Sequence, residues 1–335
     1  MFTHRAFFSS LMALFLAIFY SSLTYSAESS SDSQSIQERY EVNIGYTPLI
    51  YAQPMFVAVE KGFFQEVGIT AKLTKFENST QVVNAVIEGG LDFCAITPVL
   101  SVFAAEEKLS GKGKDTLFKL YYYNLDSTKD PISFIIVPKS SEINSLSDLK
   151  GKTIGVFPGN LLSKVSAKLL LKKYMNPDKD VVFQDVAPNL QAQALETKQI
   201  DAMFSLEPFA TITMEKGIGR ILHIAPQTSI SDPLPGGAGM MSTKFITENP
   251  TVAKKFEESI QKATDYLRAN PEYAKEVLTK YTPLTKDLAD KVRQPLYETP
   301  REMNAALLQK EYNVLLKEGV FRKKFDTKKL IYGQH

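Results

Sequence analysis

One cysteine stands in 335 residues. Cys94 has no internal partner, so the chain must hold itself together by apolar cores and not by disulfides. It lies in the apolar run of residues 91–96, where a free thiol behaves as a small buried hydrophobe. Histidine is almost as scarce: His4, His223 and His335 are far apart, and no metal-ligand spacing exists. A G-x-S-x-G nucleophile turn is missing. Gly236-Gly237-Ala238-Gly239 lacks the Lys-Ser/Thr ending and the strand–helix setting of a phosphate loop, and reads as a flexible crossing. The net charge of +2 argues against a nucleic-acid partner, because such binders carry a clear basic excess. Beyond the N-terminus no run is long and apolar enough to cross a membrane. Signals for an enzyme are poor, and no cofactor or metal is expected.

The N-terminus has its own order. His4 and Arg5 precede the uncharged apolar residues 11–20, and small residues follow at Thr24, Ser26 and Ala27. Basic, apolar, then small is the order of a secretory signal peptide, here residues 1–27. Residues 28–39 begin with a serine-rich, weakly apolar stretch and read as a disordered leader. Cleavage leaves 38 Lys and Arg against 37 Asp and Glu, a nearly neutral chain.

Two segments repeat one pattern. Ile44-Gly45-Tyr46-Thr47-Pro48 leads through a helical pattern to Leu91-Asp92 and Thr97-Pro98. Ile154-Gly155-Val156-Phe157-Pro158 leads likewise to Ile200-Asp201 and Glu207-Pro208. Gly45 precedes Asp92 by 47 positions and Gly155 precedes Asp201 by 46. Each copy reads as strand, turn, helix, strand, helix, strand, the pattern of a parallel α/β half. The expected fold is therefore α/β with two lobes facing each other across a ligand cleft.

Residues 40–128 form the first part of lobe one, 129–236 lobe two, and 237–335 a return to lobe one with C-terminal helices. Residues 124–130 are the expected outward crossing. The breaker cluster 232–239 is the expected return loop. Two crossings make a hinge, the geometry of closure around a ligand.

Ligands of parallel α/β sheets bind at the carboxyl ends of strands, near helix N-termini. That rule selects residues 47–53, 78–80 and 97–98 in lobe one, and 157–161, 188–189 and 206–208 in lobe two. Tyr46 and Tyr51 are candidates for stacking on a ligand, or half-buried packing residues. Gln53 can reach inward as donor and acceptor, or stay solvated. Thr47, Ser79 and Thr97 lie in the selected loops, Ser79 also as the expected N-cap of the following helix. Pro158-Gly159-Asn160 offers a backbone nest and an N-cap, or a plain turn. Glu207 follows an apolar strand, where a carboxylate is costly unless paired. It either accepts hydrogen bonds from an amine or heterocycle or makes an internal salt bridge.

With these residues in view the chain resembles the periplasmic substrate-binding proteins of ABC importers, in the nitrate/sulfonate/taurine and pyrimidine-precursor class. The carrying residues are Ile44-Gly45-Tyr46-Thr47-Pro48, Val59-Glu60-Lys61-Gly62-Phe63-Phe64 with Val67-Gly68-Ile69, and Gly89-Gly90-Leu91-Asp92-Phe93. Residues 146–156, Gln199-Ile200-Asp201-Ala202 and Glu207-Pro208 complete them. The resemblance implies a type II periplasmic-binding fold, a periplasmic location, a monomer, and delivery of a small solute to a permease driven by an ATPase. It also implies ligand contacts near residues 46–53, Thr97, Gly159-Asn160 and Glu207. Asn160 departs from the Ser or Thr that many relatives carry, and the cleft loops hold no Arg. A sulfonate or nitrate would then rest on helix N-termini and Lys164, and an amino-heterocycle such as a thiamine-related pyrimidine fits Glu207 at least as well. An enzyme on the same fold is the alternative, although the related pyrimidine-precursor synthases use a Cys-rich motif and a His that this chain lacks in its cleft loops. A ligand-sensing accessory protein is the third reading.

Overall fold

The computed structural model describes residues 39–109 and 115–334. The signal peptide and the leader up to residue 38 lie outside the described residues. Eleven strands are described: β1 Tyr40–Tyr46, β2 Ile69–Lys75, β3 Phe93–Pro98, β4 Phe118–Asp126, β5 Ser133–Pro138, β6 Thr153–Val156, β7 Val182–Asp185, β8 Ala202–Leu206, β9 Gly219–Ile224, β10 Leu234–Ser242 and β11 Leu296–Glu298. They build two sheets, in the orders β2-β1-β3-β10-β4-β11 and β7-β6-β8-β5-β9. Helices used below are α1 Gln53–Glu60, α2 Ser79–Ile87, α3 Val99–Leu109, α4 Leu161–Leu171, α5 Pro188–Glu196, α6 Phe209–Glu215, α7 Pro250–Ala269, α8 Pro271–Tyr281 and α9 Ala305–Lys317.

The sequence repeat has a physical basis. Asp92 accepts the Asn43 N–H at 2.8 Å and Asp201 accepts the Thr153 N–H at 2.8 Å, so each aspartate ties the start of the strand it precedes to the first strand of its copy. A Cβ on Gly45 would lie 2.5 Å from Leu91 Cδ1, and one on Gly155 would lie 2.7 Å from Ile200 Cδ1. Glycine at these places lets the next apolar residue pack flat on the sheet. In each copy the first strand pairs parallel with its two neighbours, β1 with β2 and β3, β6 with β7 and β8.

The halves are not wholly parallel, as expected from the pattern, but mixed. The fourth strand runs antiparallel in both, β10 against β3 and β4, β5 against β8 and β9. Each of these strands is the one that arrives from the other sheet, so its direction is set by the crossing and not by a βαβ unit. The outward crossing runs over residues 127–132, because β4 continues to Asp126. Asp126 closes it by accepting the Ile132 N–H at 3.0 Å and the Ser133 hydroxyl. Thr128 Oγ1 donates to Asp232 Oδ2 at 2.6 Å, which ties the outward crossing to the return.

The return loop was expected to extend through Gly239. Instead residues 234–242 are a buried nine-residue strand in the middle of the first sheet. Glycines stand there because neighbouring side chains need the space that a Cβ would fill: Tyr121 and Tyr122 at Gly239, Asn124 and Ile96 at Gly237, and Gln227 at Gly236. Helix α7 packs on the first sheet through Ala253, Phe256, Ile260, Ala263 and Leu267, a spacing of three and four. Phe256 stacks on Phe93 with ring centroids 3.6 Å apart. Cys94 is fully buried beside these residues, and burial pushes its thiol up to about 12.

Candidate functional site

A cavity of about 820 Å³ opens between the two sheets. The carboxyl ends of the parallel strands supply most of it. Tyr46 ends β1 and Thr47 follows it, Asn78 and Ser79 follow β2, and Thr97 stands near the end of β3. From the second sheet come Phe157 and Pro158 after β6, Asn189 at the start of α5, and Leu206 at the end of β8. Aromatic rings stand on both walls. Tyr46 meets Phe56 edge-on at 5.5 Å and Tyr281 at 6.1 Å, and Phe56 stacks on Tyr281 at 4.2 Å. Phe157 and Phe209 line the cavity from the second sheet.

Six of the nine expected site residues line this cavity: Tyr46, Thr47, Tyr51, Ser79, Thr97 and Asn160. Gln53, Gly159 and Glu207 do not. Gln53 is buried behind the wall, donating to Ala274 O at 2.6 Å and Gln294 Oε1 at 2.8 Å and accepting from the Tyr297 hydroxyl at 3.0 Å. It ties α1 to the C-terminal segment. Gly159 is the third residue of a turn closed by the Asn160 N–H on Phe157 O at 3.1 Å. Its φ of +66° is the left-handed value such a turn requires. Its carbonyl accepts from Thr80 Oγ1 at 3.3 Å, so it joins the two halves. Glu207 is fully buried and accepts the Thr211 N–H at 3.1 Å and the Thr211 hydroxyl at 3.0 Å. Burial raises its carboxyl to about 7 against the pull of Thr211 and the Arg293 charge. Its two contacts with Thr211 lie at the start of α6.

Helix starts were expected to leave free N–H groups in the cleft, and part of that capacity is already used. Asn78, not Ser79, caps α2 by accepting the Gln81 N–H at 3.0 Å. Asn160 caps α4 by accepting the Ser163 N–H at 3.1 Å. Pro188 brings no N–H to the first turn of α5. Lys164 is not in the wall; Lys75, Lys216 and Lys280 are. The C-terminal segment also lines the cavity through Tyr281, Thr282, Pro283, Thr285 and Leu288. Sequence reading missed this because the segment carries helical patterns without a turn motif. Asn124, Gly236 and Gly237 were missed because they sat in presumed crossings, and Gln227 because it lies in a stretch that carried no motif.

Tyr51 closes the cavity from behind. Its hydroxyl donates to Ile132 O at 2.9 Å and accepts the Glu207 N–H at 3.0 Å, both on the second-sheet side. Its own carbonyl takes the Tyr122 hydroxyl at 3.1 Å. Burial raises the phenol well above its usual range, so it stays protonated and able to donate. Tyr51→Phe keeps the ring and leaves the Ile132 carbonyl without this donor. It should lower stability in urea unfolding by about 1–2 kcal/mol. An unchanged midpoint would show that the hydroxyl does not join the halves.

Residues 35–280 match the NMT1-like family. A Brucella abortus (strain 2308) chain named as a binding protein is 26% identical over 288 residues, covering 86% of this chain and 83% of that one. The 4-amino-5-hydroxymethyl-2-methylpyrimidine phosphate synthase THI11 of Saccharomyces cerevisiae is 27% identical over 266 residues, covering 76% and 74%. Among solved structures, the alkanesulfonate-binding protein SsuA from Xanthomonas axonopodis pv. citri, bound to MOPS, superposes with a TM-score of 0.71 at 16% identity. That match covers 88% of this chain and 99% of that one. The two mixed sheets are thus a type II periplasmic-binding fold. With well over half its length matched, the chain belongs to the NMT1-like family.

Proposed function

We propose that this protein is the exported solute-binding component of an ABC-type importer, holding a small polar organic solute between its two sheets and passing it to a membrane permease. The observation that carries this reading is the cavity itself, built from matched strand ends of both sheets and braced across by side chains that can part. Tyr51 on Ile132 and Glu207, Thr80 on Gly159, and Lys291 on Glu215 are such braces. The hinge is the pair of crossings tied by Thr128 and Asp232. Tyr46, Thr47, Ser79, Thr97 and Asn160 are the proposed contacts, with Tyr51 as a latch. The relatives named as binding proteins and the basic–apolar–small N-terminus support a periplasmic role. Chain motion of this kind is closure by population shift: solute binds the closed form better and so favours it.

The yeast relative named as a synthase keeps an enzyme reading alive on the same fold, and one experiment separates them. The mature protein at a hundredfold excess of its solute over Kd should gain about 2.7 kcal/mol of stability. The solute should be recovered unaltered by mass spectrometry. A chemically changed product overturns the receptor reading.

A further inference from the structure

Residues 282–294 are fixed to the first sheet at both ends. Before them, α8 is tied to α1: Tyr281 stacks on Phe56 at 4.2 Å and its hydroxyl donates to Glu60 Oε1 at 2.8 Å. At their end, Gln294 Oε1 accepts from Gln53 Nε2 at 2.8 Å, and β11 then pairs with β4. Between these anchors the segment leans on the second-sheet side. Lys291 pairs with Glu215 at the end of α6. The Arg293 guanidinium lies over the Phe134 ring of β5, 5.4 Å from its centroid, and its charge acts on the Glu207 carboxyl. The same segment gives the cavity Thr282, Pro283, Thr285 and Leu288, so it is wall and bridge at once. Lys291 and Arg293 do not line the cavity.

We infer that residues 282–294 are a clasp, with Lys291 and Arg293 as positioning residues that hold shut a cavity they do not touch. The inference rests on the receptor reading and names the contact that sets how much of the protein is closed. The seat is weak enough to release. Lys291 and Glu215 keep 54% and 37% of their side-chain surface exposed, so water and salt screen the pair. Arg293 is exposed as well, above a ring that is fully buried. The segment itself is firmly folded. Leu284, Ala289 and Val292 are buried, and the Val292 N–H donates to Leu288 O at 3.1 Å. Opening therefore parts the seat on the second-sheet side and leaves the segment folded on the first. A solute held only by the closed form loses affinity in proportion to the closed fraction, so a broken clasp weakens every solute by one common factor.

The test uses the mature full chain with nitroxide labels on Thr74→Cys and Asp185→Cys, exposed positions at the cavity ends of the edge strands β2 and β7. Cys94 is buried and stays unlabelled. Pulsed dipolar spectroscopy without solute should show a short-distance population that Lys291→Glu lowers about threefold in favour of longer distances. Lys291→Glu with Glu215→Lys restores the pair with its charges exchanged and should bring the short distances back. Arg293→Met should act in the same direction as Lys291→Glu. A melting temperature close to the parent checks that each variant folds. A carbodiimide, which condenses the Lys291 amine with the Glu215 carboxyl and releases water, should fix the parent at the short distance. Distances alike in parent and Lys291→Glu, or a change that the exchanged pair does not reverse, would overturn the clasp. Either result leaves the receptor reading standing, whereas a solute returned chemically altered would remove that reading and leave the distances as they are.

Discussion

Gly239→Ala should lower the melting temperature by roughly 5–10 °C, from an overpacking cost of about 3 kcal/mol. The added Cβ would lie 2.5 Å from Tyr122 Cε1 and 2.6 Å from two ring atoms of Tyr121. Both rings are fully buried, so neither can swing into open space. Their hydroxyls are pinned as well: Tyr121 donates to Cys94 O at 2.7 Å, and Tyr122 donates to Ala95 O and Tyr51 O. Relief would have to come from bending β10 away from β4, which breaks the ladder on one or both of its sides. Gly90→Ala is the control, since its Cβ would meet nothing nearer than Ala85 O at 3.6 Å. Scanning calorimetry of the two variants decides the matter. A Gly239→Ala protein that melts within 2 °C of the parent would mean that the strand has slack the packing does not show.

The same glycines explain where sequence reading stopped. Gly45, Asp92, Gly155 and Asp201 announced a repeat because their work is done inside one βαβ unit, between residues fewer than fifty positions apart. β10 could not announce itself. Its partners are residues 93–98 and 118–126, more than a hundred positions away, and its own run Leu234-Pro235-Gly236-Gly237-Ala238-Gly239 has the composition of a turn. Tertiary demand, the room for Tyr121, Tyr122, Asn124 and Gln227, overrode local propensity. The site divided in the same way. Tyr46, Thr47, Ser79, Thr97 and Asn160 follow from a rule about strand ends, which is local. Thr282, Leu288 and Gln227 reach the cavity only through packing of distant segments. Gln53 and Glu207 stand in the selected loops yet are bonded within the protein, because a buried polar side chain takes a partner from the fold around it. For Gln53 that partner was the Ala274 carbonyl, and for Glu207 it was Thr211.

The second large effect belongs to Glu311, on the inner face of α9 in line with Leu308, Tyr312 and Leu315. It is fully buried and neither carboxyl oxygen has a partner among the described residues. Burial alone raises its pKa well above the carboxylate range, so the folded protein holds this group neutral at pH 7. The unfolded chain releases the same proton above about pH 4.3. Between those two values the folded state binds more protons than the unfolded one, and stability must fall as pH rises. Asp126 and Glu207, each raised to about 7 chiefly by burial, act in the same direction. Glu302 opposes them only in acid. Held at about 2, first by its hydrogen bond to Arg268, it contributes stability above about pH 4.3 that is lost as pH falls toward 2. The melting temperature should therefore be higher at pH 5 than at pH 8. Glu311→Gln should flatten that slope by no more than about 1.4 kcal/mol per pH unit, the limit for one group. Glu311→Met removes the unpaired carboxyl altogether and should raise stability at pH 7.5 by about 1–3 kcal/mol. Urea unfolding of the three proteins at pH 5, 6.5 and 8 measures both effects. Parallel slopes for parent and Glu311→Gln would mean that Glu311 ionises alike in both states and that a charge partner or water reaches it in the fold.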